Sequence, residues 1–127
     1  MDENLQKGMA VRRELFGEER LKSVFAPKDV LTQKFQGLMT SACFGQVWGD
    51  ESVPHKDRSL VTISILGAQH RFKHFEHHVR LAVRNGCSRD QIIAVVQHLY
   101  TYCGAPTGVE AYQIVHQIFE ESDVETT

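Results

Sequence analysis

The chain has 127 residues, with 14 Lys and Arg against 16 Asp and Glu, for a formal net charge of −2. That near-balance excludes the basic excess that a nucleic-acid or anionic-membrane binder needs, and a composition of 42% hydrophobic and 24% charged residues excludes a mostly disordered chain. At this length about two thirds of the unfolded surface can be buried, so a single domain over 1–127 needs no disulfide or metal staple.

The first predicted element runs from about Glu3 to Phe16. Leu5, Met9, Val11, Leu15 and Phe16 form a loose helical stripe, and Gly17 ends it. Pro27 and Asp29 open the next helix, with Asp29 as N-cap. It carries Val30, Leu31, Phe35, Leu38, Met39, Ala42, Cys43, Val47 and Trp48, an apolar face wide enough to predict deep burial. Gly49 to Lys56 reads as a loop. The run from Arg58 to His70 is open: Val61-Thr62-Ile63-Ser64-Ile65 alternates like a strand, while Leu60, Ile63, Leu66 and Gly67 fit a helix face.

The last third is clearer. Asn85-Gly86 is a helix stop, because Gly86 takes a left-handed backbone at little cost. Ser88 to Gln91 reads as a capping box for a helix carrying Ile92, Ile93, Val95, Val96, Leu99 and Tyr100. Gly104 and Pro106 break the chain. Thr107 to Glu110 reads as a second capping box, opening a helix to about Glu121, with a frayed polar tail from Ser122. The sum is an all-α domain of five or six helices.

The N-terminus, Met1-Asp2-Glu3-Asn4, has neither a basic nor an apolar leader region, and no run nears membrane-spanning length. Three cysteines (Cys43, Cys87 and Cys103) without a C-x-x-C pair suit a reducing compartment. A cytoplasmic protein is the expectation.

Four segments in register carry a resemblance. They are Phe35-Gln36 with Gly45-Gln46-Val47-Trp48, then Arg58 to Thr62, then His78 to Gly86, then Tyr102-Cys103-Gly104-Ala105-Pro106. In this order the chain resembles the carboxymuconolactone decarboxylase family. The resemblance implies an alkylhydroperoxidase-D-like helical bundle, with Val61 to Ile65 helical, and a homo-oligomer, a hexamer or trimer. It also implies decarboxylation of 4-carboxymuconolactone to 3-oxoadipate enol-lactone without a cofactor, in aromatic catabolism. Gly37, Ser41, Gln46 and the Thr107-Gly108-Val109 stretch depart from the family pattern, which leaves the substrate open. A thiol-dependent peroxidase of the same fold and a non-enzymatic oligomeric binding protein are the alternatives.

Decarboxylation must hold a carboxylate, accept the electrons left behind and return a proton. Arg58 suits the first task as a bidentate carboxylate partner. His78 suits the last, as a group that exchanges protons near neutral pH. Both match family positions. Trp48, Cys103 and Pro106 are expected to line the substrate site. His70, His74 and His78 have the i, i+4, i+8 spacing of metal ligands on one helix, but the chain around His70 to Lys73 is expected to interrupt that helix, and no metal is expected.

Overall fold

The structure, a computed structural model, describes residues 2–126, with side chains to 122. It is all-α. Seven α-helices follow in order: α1 (Glu3–Phe16), α2 (Glu18–Phe25), α3 (Val30–Met39), α4 (His55–Ala68), α5 (Phe72–Arg84), α6 (Arg89–Cys103) and α7 (Ala105–Thr126). Between α3 and α4, α3 runs on into a π-helical segment, Thr40–Val47. Among the described residues no helix is long and apolar enough to cross a membrane. The chain divides into two compact units, Met1–His55 and Lys56–Thr127.

In the first unit, Asp2 caps α1 by accepting from the Leu5 amide at 2.8 Å, and Gly17 ends it at φ 93. Gly8, Val11, Arg12 and Leu15 are its buried row. α2, which periodicity did not reveal, is eight residues long and buries only Leu21, too little pattern to read. Asp29 caps α3 as expected, accepting from Thr32 at 2.9 Å. The burial expected of α3 is not found. It has no buried residue, and Leu31 is 78% exposed and Leu38 66%. Burial begins only where the winding widens, at Thr40, Phe44 and Gly45.

The Thr40 hydroxyl donates to the Gln36 carbonyl at 2.6 Å, a bond that competes with helical pairing and bends helices. The Trp48 amide then reaches back five residues to Cys43 O at 2.9 Å. α1 and the π segment touch backbone to backbone: a Cβ on Gly8 would strike the Thr40 carbonyl, and one on Gly45 the Asn4 carbonyl.

The second unit has a conventional core. α5 contributes Phe75, Val79 and Ala82, α6 Ile92, Val96 and Leu99, and α7 Ala111, Val115 and Ile118. Each set is an i, i+4, i+7 row, the inward stripe of an amphipathic helix. Ile63 of α4, fully buried, joins the same cluster, so the ambiguous run is helix. The spacing of Ser59, Ile63 and Gly67, all buried, is the helical signal hidden under the β-like alternation.

Gly86 stops α5 at φ 92, and Ser88 and Gln91 form the expected capping box. The second box does not form. Gly104, at φ 97, makes the break, and α7 is already under way at Ala105, with the Gly108 amide bonded to Gly104 O at 3.2 Å. Thr107 lies inside its first turn, with its hydroxyl turned to His70 Nε2 at 2.8 Å rather than to Glu110. α7 continues past Ser122 to Thr126, so the backbone is helical where the tail is expected to fray from Ser122; Thr127 lies outside the described residues.

Candidate active site

His78 sits on α5 one residue before Val79, at the edge of the inward row, and is half-buried. Its Nδ1 is fully enclosed and has no hydrogen-bond partner. Burial, and then the neighbouring His77 and His74, push the imidazole below its ordinary pKa, so at neutral pH the ring is uncharged. The His77 and His78 rings lie 6.4 Å apart.

Asn85 falls on the same helical face, seven residues on, and its Nδ2 is likewise enclosed without a partner. Ser59 of α4 is 1% exposed, and its hydroxyl too finds no partner. Buried polar atoms are normally satisfied, so these atoms on α4, on α5 and in the turn after it stand out as candidates for binding polar atoms of a ligand. Sequence reading missed both residues. Asn85 had been absorbed by its role as a helix stop. Ser59 was hidden by the strand–helix ambiguity of its segment.

Arg58 is half-buried in the first turn of α4, next to Ser59. The Cys87 thiol reaches the Lys56 carbonyl at 3.4 Å, which holds the start of α4 beside the turn that follows Asn85. Arg58, Ser59 and Asn85 therefore belong to one end of the α4–α5 pair, with His78 about 10 Å along α5 from Asn85 at 1.5 Å per residue. Arg58 is not among the groups that shift His78.

The other candidates lie elsewhere. Cys103 and Pro106 flank Gly104 at the α6–α7 break, and both are exposed. Trp48 belongs to the first unit and is buried there, with its ring 6.3 Å from Phe44 and 5.8 Å from His55, whose Nε2 donates to the Trp48 carbonyl at 3.0 Å. His70 lies in the α4–α5 turn at φ 59, outside α5, so it does not continue the row of His74 and His78. Among the described residues no three His, Cys, Asp or Glu are grouped to hold a metal. Two hollows open beside α6. One of about 370 Å³ lies against α4, between Leu60, Ser64, Val95 and His98. One of about 480 Å³ lies against α7, between Tyr100, Val109 and Tyr112, and so takes in one of the sequence departures.

The chain is 28% identical over 120 residues to 4-carboxymuconolactone decarboxylase of Acinetobacter baylyi, covering 94% of this chain and 90% of that protein. It is also 28% identical over 115 residues to nitrosuccinic acid decarboxylase of Metarhizium robertsii, covering 91% of this chain and 80% of that protein. The pattern of the carboxymuconolactone decarboxylase family matches residues 33–117, a stretch holding Arg58, Ser59, His78 and Asn85. With that match over an all-helical chain, the protein belongs to the carboxymuconolactone decarboxylase family.

Proposed function

We propose that the protein is a carboxy-lyase that decarboxylates a small acid, in the way of a carboxylated lactone, without a cofactor. The observation that carries the reading is His78: an imidazole held neutral by burial, with an enclosed nitrogen and no protein partner for it. Both named relatives are decarboxylases. Their names describe a carboxyl group on a skeleton that also bears an electron-accepting lactone or nitro function.

In this reading Arg58 grips the departing carboxylate through paired N–H donors. The bond from carbon to the carboxyl group breaks, CO₂ leaves, and the electron pair passes into the conjugated acceptor. His78, as imidazolium, then gives its proton to the carbon. Substrate itself supplies that imidazolium. A bound anion next to the ring offsets the desolvation that keeps it neutral, so binding draws a proton onto His78. Asn85 Nδ2 and the Ser59 hydroxyl are donors suited to the oxygen where negative charge develops, an electrostatic contribution worth several kcal/mol in a dry site, on the order of 3.

Assembly into a homo-oligomer, a trimer or hexamer, belongs to the same proposal. Its support is the row Leu31, Phe35 and Leu38 on α3, apolar and exposed in the single chain. A sedimentation coefficient of a monomer at micromolar concentration would overturn it. For the activity, CO₂ release from 4-carboxymuconolactone, followed by loss of lactone absorbance, is the direct test. No release from this lactone or from nitrosuccinate, while both raise the melting temperature, would favour a binding protein instead.

A further inference from the structure

Arg12 is the one charged side chain buried among the described residues, at 6% exposure. α1's own periodicity puts it there, in the inward row with Gly8, Val11 and Leu15. Its Nη1 donates to Gln36 Oε1 at 2.8 Å and to Thr40 Oγ1 at 3.0 Å, which engages both hydrogens of that nitrogen. The Thr40 hydroxyl directs its own hydrogen to the Gln36 carbonyl, so it is fixed as an acceptor toward Arg12. The guanidinium lies 5.0 Å over the Phe44 ring. Thr40 and Phe44 belong to the π segment, and helices of that winding recur at functional sites.

No carboxylate answers this charge among the described residues: the ion pairs of the unit are Arg13 with Glu18 and His55 with Glu14. Burial and the like charge of Arg20 depress its pKa, and the smaller opposing influence is Cys43, a thiol that burial pushes away from its charged form. A buried cation left without a counter-ion is costly, so this arrangement favours an anion. The remaining edge of the guanidinium, Nε and Nη2, carries two parallel N–H donors, and neither atom is among the enclosed polar atoms. Such an edge matches the two oxygens of a carboxylate.

We infer that the open Nε–Nη2 edge of Arg12, held by Gln36, Thr40 and Phe44, is a carboxylate-binding site. The carboxylate comes either from a free small acid or from an acidic side chain of a second copy of this chain. The site does not draw on the decarboxylase reading, and its test does not use turnover.

The test follows the Arg12 Nε–Hε NMR signal, assigned by its loss in Arg12→Lys, during titration with acetate at constant ionic strength. The expected result is a saturable shift of this signal, together with an acetate-dependent rise in melting temperature that is lost in Arg12→Lys, which keeps the charge and loses the fork. Arg20→Glu is exposed and safer for folding. It replaces the like charge with a carboxylate, and should weaken acetate about tenfold while keeping or raising the melting temperature. A signal already shifted before acetate, becoming titratable only on dilution, assigns the carboxylate to a second copy. A signal indifferent to acetate at both high and low protein concentration would overturn the site, as would wild-type acetate affinity in Arg20→Glu.

Discussion

In the Lys56–Thr127 unit, α5, α6 and α7 each turn an i, i+4, i+7 row inward, and the rows meet around Ile63 and Phe75, neither of which has any exposure. In the Met1–His55 unit, α3 turns nothing inward, and α1 meets the π segment through glycine backbone as well as through side chains, Phe16 on Phe44 and Arg12 on Thr40. The second unit is held by close-packed hydrocarbon, and its polar irregularities (Ser59, His78 and Asn85) stand out against that background. The first unit has one charge inside, at Arg12 among Val11, Leu15 and Phe44, and part of its hydrocarbon outside, at Leu31, Phe35 and Leu38. Apolar surface is placed where it has something to cover. An apolar face exposed in one chain is what the proposed oligomer would cover, and a buried polar atom without a partner is what the proposed substrate would satisfy.

That contrast can be broken by substitution. The largest effect belongs to the second unit's core. Ile63→Ala should cost about 3 kcal/mol of stability by leaving a cavity among four helices, read by chemical denaturation. A loss well under 1 kcal/mol would mean the core is looser than its packing implies.

Next is His78→Ala, which should lower kcat by roughly 10²-fold if the imidazole returns the proton, with the fold intact by circular dichroism. A near-normal rate would remove His78 from the chemistry.

Third, Leu31→Glu should leave the stability of the single chain within about 0.5 kcal/mol, because the residue is exposed there, yet shift sedimentation toward smaller species. An unchanged oligomer would move the interface off α3.

The smallest effect is a slope. His78 is depressed in the folded protein relative to the unfolded chain, so between the two pKa values the unfolded state binds more protons. Its contribution is whole above the ordinary imidazole range and is lost as pH falls through that range toward the lower folded value. His78→Gln should therefore flatten melting temperature against pH below about 6.5. Parallel curves for the two proteins would contradict the burial that keeps the ring neutral.

Local chemistry carried much of this molecule in its linear order. Asp2, Asp29 and Ser88 cap helices because each has an oxygen within reach of its own nearby amides, and Gly17, Gly86 and Gly104 stop or break helices because positive φ is cheap only without a Cβ. Such interactions span three or four residues and need no partner from afar. The family signature around Arg58 and His78 was legible in the same way. What the chain order could not express is which face of a helix finds a neighbour. An apolar stripe says that a face wants cover but not whether the same chain supplies it, so the stripe of α3 predicts a burial that the single chain does not provide. Thr107 reads as a cap because nothing local reveals that His70, 37 residues away, engages its hydroxyl. Arg12 shows the same limit. The row Gly8, Val11, Arg12 and Leu15 put the guanidinium on the inner face, but only the packed π segment, closing over it without a carboxylate, decided that its charge would be buried and uncompensated. Burial, unlike capping, is a property of what arrives from elsewhere in the chain.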